Sequence, residues 1–385
     1  MEQDRERPRK LEFEPRLLAL FLFIAIPFIL VGSLLILSSV KNGVNRTTGD
    51  HFAELAAANA RYLDSYILMK VTNVSRLAVS PSLVDEVVTA NESYTGEEEM
   101  IQNRLLEADG EWQLTYGLTP LAIDIVGRES SDFLKKIASF NPAYREILLT
   151  DERGALIAAT NLTTDYYQAD EPWWQKAYGD GWTGTIHVSN VRHDYSAKVH
   201  GMDIAVPVRT GEGDDQRVVG VLKALIDVRD VFAVMASVRF GESGRALLLN
   251  GPDRSIINRD DPGDVMKDTH PGFVHMLEAQ AEGRRHFICQ HIDGSTWLAG
   301  FARMPEPAPF PEISWYVVVE QSIQEAQAPV QIATKYLIWF FGAMVLLVLL
   351  FSLFMHFKLV KPIREVDLRE EMDRLSGAVS GTKAG

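Results

Sequence analysis

The sequence predicts an α+β chain: a long N-terminal helix followed by two tandem lobes with antiparallel sheets, the whole flanked by two transmembrane helices. Three observations carry this. Two long apolar runs, Leu17 to Val40 and Tyr336 to Phe357, bracket a polar middle. Apolar residues then recur at helical spacing directly after the first run. Finally, a strand-turn-strand phrase occurs twice, its starts 99 residues apart.

The first run has 24 residues and no charge, interrupted only by Pro27, Gly32 and three serines; the second carries Ser352 and, near its end, His356. A helix rises ~1.5 Å per residue and the hydrocarbon core is ~30 Å thick, so about 20 apolar residues span it. A cleaved signal peptide is the other reading of the first run. Its apolar core is too long for that, and no small-residue cleavage site follows promptly. Short basic flanks stay in the cytoplasm. The 1–16 tail carries Arg5, Arg7, Arg9, Lys10 and Arg16, and the 358–385 tail carries Lys358, Lys361, Arg364, Arg369, Arg374 and Lys383. Both termini are therefore expected in the cytoplasm, with 17–40 and 336–357 crossing the membrane and 41–335 on its far side.

Net charge is −14, and with the 11 basic and 10 acidic residues of the tails set aside the rest holds 27 Lys/Arg against 42 Asp/Glu. Nucleic acid is excluded as a partner, because it needs a basic footprint. The single cysteine, Cys289, allows no intrachain disulfide. Stability must come from hydrophobic cores, and a disulfide-free outer segment fits the inner membrane of a bacterium. Four Asn-x-Ser/Thr matches, at Asn45, Asn73, Asn91 and Asn161, are the number expected by chance in so polar a segment.

Residues 41–84 read as a signalling helix, with Phe52, Leu55, Ala56, Leu63, Ile67, Val71, Val74, Leu77 and Ala78 spaced by three and four and Pro81 closing it. Shorter helices are expected over about 96–106 and 130–139, the last closed by Asn141-Pro142. The period then changes. ILLTDERGALIAATN (Ile147 to Asn161) and ALLLNGPDRSIINRD (Ala246 to Asp260) each read as an apolar strand, a tight turn with Asp and Gly, and a second strand. VVGVLKALID from Val218 and YVVVEQSI from Tyr316 follow each copy at about the same interval, as two copies of one unit require.

Only the first copy carries the insertion TDYYQADEPWWQKAYGDGWTG, Thr164 to Gly184, with Tyr166, Tyr167, Trp173, Trp174, Tyr178 and Trp182. So many aromatics either form a small core under the loop or line a small-molecule pocket. Taken as a cluster they favour the pocket, with Asp170, Glu171, Arg192 and Asp194 as nearby polar candidates.

At these residues the chain resembles the double Cache (dCache) family of extracytoplasmic sensor domains. The resemblance covers about 41–335: the long helix, two PAS-like lobes, the Trp-Trp segment, and the phrases MDIAVPV (Met202 to Val208) and VVGVLKALID. It implies that the membrane-distal lobe, 85–230, binds a small extracytoplasmic ligand and that the membrane-proximal lobe, 231–335, relays the change. Amino-acid-sensing members carry Arg-x-Trp-Tyr, then Tyr-x-Asp, then Asp in the last strand. Here those positions read Glu171-Pro172-Trp173-Trp174, Arg192-His193-Asp194 and Leu225, and only Trp173 and Asp194 match in type. A free α-amino acid in the usual pose would set its carboxylate against an anion. Glu171 and Asp194 suit an amine, whereas Arg192 suits a carboxylate or pairs with one of the acids. The expected ligand set is Tyr167, Glu171, Trp173, Trp174, Tyr178, Arg192 and Asp194.

After the second span, FKLVKPIREVDLREEMDRLSGAVSG resembles the first helix of a HAMP module: a basic exit, Pro362, then a helix with Ile363, Val366, Leu368, Met372 and Leu375. Output is then expected either from a longer receptor or from a cytoplasmic effector on another chain, and the receptor is expected to be a homodimer. No nucleophile elbow, Walker loop, HExxH or Cys/His spacing is present, so neither enzyme activity nor a cofactor or metal is expected. His187, His193 and His200 are expected not to converge, and Asp260 to Asp264 to form a solvated turn. The expected function is a two-span sensor. The rival is an envelope scaffold of the polysaccharide chain-length regulator kind, whose outer domain is largely helical.

Overall fold

The computed structural model describes residues 15–115, 118–194, 197–257, 267–305, 310–355 and 371–374. Most of the charged tails, the HAMP-like stretch apart from 371–374, and the Asp260 to Asp264 run lie outside the described residues. The chain divides into two units, residues 1–47 with 326–385, and residues 48–325.

The first unit contains the N-terminal part of helix α1 (Pro15–Ala78) and helix α10 (Ala328–Met355). Both helices are long and apolar enough to cross a membrane. Pro27 sits inside α1 without ending it. Below the apolar stretches the Gln327 side-chain amide donates to Asn45 Oδ1 at 2.6 Å.

In the second unit, α1 buries Phe52, Ala56, Ala60, Leu63, Ile67, Val71, Val74 and Ala78, the three-and-four spacing read from the sequence. It stops just before Ser80, whose extended backbone is what a following proline requires, and Pro81 opens α2 (Pro81–Glu92) at its first turn. Helices α3 (Glu98–Leu114), α4 (Pro120–Gly127) and α5 (Glu129–Phe140) follow. The Thr119 hydroxyl caps α4 by accepting the Ala122 N–H at 3.0 Å.

The hairpin of β1 (Tyr144–Asp151) and β2 (Leu156–Ala159) turns on Asp151, whose Oδ1 accepts the N–H groups of Arg153 and Ala155, both at 2.9 Å. Gly154 has φ +82°, and a Cβ there would lie 2.5 Å from the Ala169 nitrogen, so the turn presses directly on the aromatic insertion. That insertion holds α6 (Pro172–Tyr178). Then come β3 (His187–Val188), β4 (Arg192–Asp194), β5 (Val199–Thr210), β6 (Arg217–Asp227) and α7 (Arg229–Ser237). The second lobe has β7 (Arg239–Phe240), β8 (Gly244–Asn250), α8 (Phe273–Ala281), β9 (His286–Gln290), β10 (Thr296–Arg303), β11 (Trp315–Ser322) and α9 (Ile323–Ala326).

Among the described residues the strands form two antiparallel sheets. The first runs β2-β1-β6-β5-β3 with β4 also on β5, and the second runs β7-β8-β11-β10-β9. The repeat is therefore topological: β1, β6 and β5 of one sheet correspond to β8, β11 and β10 of the other. The second copy's return strand is short, with Leu249 bridged to Ile256. Asn190 ties the lobes together, donating to Asn250 Oδ1 at 2.8 Å and accepting the Trp315 indole N–H at 2.9 Å.

Candidate functional site

Glu146, Asp203 and Lys223 are charged residues in the middle of apolar strands, and the fold brings them to one face of the first sheet. Glu146 on β1 and Asp203 on β5 both stand opposite Leu225 of β6, and Lys223 lies two residues back along that strand. All three are buried. Burying charge is costly unless it is paired. Lys223 Nζ lies 3.4 Å from Asp203 Oδ1 and 3.8 Å from Glu146 Oε2. Arg192, reaching in from β4, donates to Asp203 Oδ2 through Nε at 3.0 Å and Nη2 at 2.5 Å. Asp203 Oδ1 receives no well-angled hydrogen bond, so its contact with Lys223 is one of charge rather than direction.

Over this face lies a cavity of about 140 Å³, walled by Glu146, Asp165, Glu171, Trp173, Asp194 and Lys223, with Thr163, Thr164, Gln168 and Arg192 completing it. Its acids outnumber its bases, and both bases are already engaged by Asp203. Burial raises the Glu146 carboxyl to about 7; Lys223 pulls it down, while Asp194 and Asp203 push it up. Burial likewise raises Asp165 to about 6, against a lowering hydrogen bond from Gln168 and with Glu171, Asp109 and Asp170 adding to the rise. Lys223 Nζ stands 5.0 Å over the Trp173 ring. Both carboxyls are raised chiefly by burial, with neighbouring acids adding to the rise, so further negative charge is disfavoured in this cavity and positive charge is favoured.

Of the residues singled out from sequence, the cavity gathers Glu171, Trp173, Arg192 and Asp194. Tyr167, Trp174 and Tyr178 stand elsewhere. The Trp174 indole N–H donates to Thr150 Oγ1 at 2.9 Å, and its ring stacks on Tyr178 at 4.5 Å, in a core shared with Ala177, Ala205 and Val221. Tyr167 packs against Ile101 and Leu105 of α3 and accepts a hydrogen bond from Gln102. Trp182 is 57% exposed. The aromatic insertion is thus part core and part wall. His193 and His200, expected not to meet, are cross-strand partners with ring centroids 5.1 Å apart, because β4 and β5 form a hairpin whose register sets them opposite each other. Glu146, Asp203 and Lys223 were missed by sequence reasoning, although each interrupts an apolar strand, and that interruption is the signal that marks them.

A family profile described as the Cache domain, of the double (dCache) type, matches residues 40–330. The chain belongs to the Cache domain family. It is thus a member of a family of small-ligand sensor domains, not of an enzyme class. Among curated proteins none matches. Solved structures similar to this Cache chain include the ligand-binding domain of the Pseudomonas aeruginosa amino acid chemoreceptor PctB in complex with L-Arg, at 17% identity and TM-score 0.44, covering 75% of this chain and 93% of that one. The P. aeruginosa PctC domain in complex with GABA follows at 16% and 0.43, covering 71% and 100%. The sensory domain of the Campylobacter jejuni chemoreceptor Tlp3 gives 13% and 0.46, covering 74% and 98%.

Proposed function

We propose that this Cache protein is a two-span receptor whose first lobe binds a small solute through a cationic amino group. Both termini lie in the cytoplasm in this reading, and residues 41–335 face the other side. The observation that carries the ligand class is the excess of carboxyls in the cavity: Glu146, Asp165, Glu171 and Asp194 against two bases that Asp203 already holds. An ammonium group entering there lets Glu146 ionise and pairs with the other acids of the wall, and Trp173 offers it an aromatic face. At about 140 Å³ the space suits a solute of on the order of ten heavy atoms. Glu171 puts an acid at the start of α6, and the two bases of the wall, Arg192 and Lys223, already face Asp203, so an amine fits better than an α-amino acid.

Binding pulls Glu171 at the start of α6 and Asp194 of β4 inward on the solute. Asn190, two residues before β4, hydrogen-bonds Asn250 and Trp315 of the second lobe. That lobe's last strand leads through α9 into the second apolar helix, the route by which a homodimeric receptor would pass a small shift to a cytoplasmic effector. A ligand moves such an equilibrium only by its differential affinity for the two states. The scaffold rival calls for a largely helical outer domain, and two antiparallel sheets count against it. A thermal-shift panel of amines, carboxylates and amino acids on the purified chain tests the ligand class, since ligand at 100 times its Kd adds ~2.7 kcal/mol of stability. Amines should raise the Tm; a panel in which only carboxylates do so would refute the cationic reading.

A further inference from the structure

The second lobe has a cavity of its own, about 380 Å³, into which Arg245, His270 and His291 project beside Asp268 and Asp293. Beneath it lies Glu320 of β11, fully buried. Arg245 donates to Glu320 Oε1 through Nε at 2.9 Å and Nη2 at 2.8 Å. The other oxygen, Oε2, faces two imidazoles: His270 Nε2 at 3.0 Å and His291 Nε2 at 3.3 Å. The two rings stand perpendicular with centroids 5.8 Å apart, and the three ligand atoms all lie within 4.8 Å of one another. His291 Nε2 is buried and makes no well-formed hydrogen bond.

We propose that His270 Nε2, His291 Nε2 and Glu320 Oε2 form a binding site for a divalent transition-metal ion of the zinc class. Zinc bonds to imidazole nitrogen and carboxylate oxygen are ~2.0–2.2 Å, which sets the edges of a tetrahedral site at roughly 3.3 Å. The two contacts at Glu320 Oε2 match those edges, and convergence on one ion explains both the perpendicular rings and the nitrogen left over on His291. Two imidazoles with one carboxylate select zinc, cobalt or nickel over magnesium or calcium. Arg245 remains on Oε1, fixing the carboxylate from the outer shell, and His291 is held by stacking on Trp297 at 4.7 Å. His270 and His291 both line the cavity, so a fourth ligand would reach the ion from that side.

One contact must change. His270 Nδ1 accepts the Gly272 N–H at 3.1 Å, which in the metal-free protein keeps the ring's proton on Nε2, pointing at Glu320. When the ion takes Nε2, that proton moves to Nδ1 and the Gly272 contact opens. Gly272 immediately precedes α8, so metal binding acts directly on the start of that helix.

The test is a Co²⁺ titration of the full chain, purified metal-free in detergent, read by visible absorption and by bound metal per chain. One ion per chain with a tetrahedral-type visible band, competed away by Zn²⁺, is the expected result. His291→Phe keeps a ring against Trp297 but removes the nitrogen, and should weaken uptake by at least ~100-fold. His275→Ala, on an exposed histidine of α8, should leave it unchanged. Equal uptake by wild type and His291→Phe would overturn the proposal. So would the absence of stoichiometric uptake by the wild type, which needs no variant to fold.

Discussion

Glu146 is 1% exposed, and its carboxyl is raised from 4.5 to about 7 with burial as the leading cause. A carboxyl raised on folding costs nothing while it is protonated, below pH 4.5. Its cost grows as pH rises and is complete above pH 7, at about 3 kcal/mol from the size of the shift. The ligand-free protein should therefore lose stability between pH 5 and 8, and Glu146→Gln, neutral throughout, should flatten that slope in urea unfolding curves. The same group makes binding pH-dependent. An amine ligand should bind more tightly as pH rises through 7, because Glu146 then ionises against it, and Glu146→Gln should remove that dependence. Trp174 and Trp182 separate core from surface within one insertion. Trp174→Ala opens a cavity and removes the indole donor to Thr150, so chemical denaturation should report a loss of about 3–5 kcal/mol. Trp182→Ala should stay within about 0.5 kcal/mol of the wild type.

At the scale of elements, the segment from Asn190 through β4 joins the first-lobe cavity to the second lobe. Asn190→Ala removes both of its links to that lobe while leaving the cavity's own residues in place. Ligand affinity should fall less than about threefold, whereas ligand should no longer alter proteolysis of the second lobe. Matching ligand effects in wild type and variant would assign the coupling elsewhere. The sheets were legible because each hairpin phrase announces itself locally: apolar strand, Asp and Gly turn, apolar strand. α4 was not, since Pro120 and Gly127 bound a stretch of only eight residues, and its cap, Thr119, looks like any loop threonine. The site was half legible. Trp173, Glu171, Arg192 and Asp194 stand close together in the chain, and composition alone draws attention to them. Glu146, Asp203 and Lys223 come from three strands, and no spacing rule joins them until register does. His270, His291 and Glu320 meet for the same reason, from the turn before α8, the residue just after β9 and strand β11.

For the whole molecule, topology and ligand class are the two claims that matter. Cys289 is buried and its thiol is pushed up to about 12 by burial, with Glu320 adding to the rise, so the wild-type chain should be silent to maleimide. On that background, Ser139→Cys on exposed α5 should be labelled by an impermeant maleimide on intact cells, and Lys383→Cys only after lysis. The reverse pattern would invert the membrane orientation. The cavity claim is tested most directly by calorimetric titration of the amine that most raises the Tm, comparing wild type with Glu171→Gln. Glu171 makes no side-chain cap to α6, so the substitution removes a charge from the cavity wall without removing a structural bond. The account predicts one site per chain in the wild type and affinity about tenfold weaker in Glu171→Gln, the loss of one partly screened ion pair. Unchanged affinity in that variant and in Trp173→Ala would place the ligand outside this cavity.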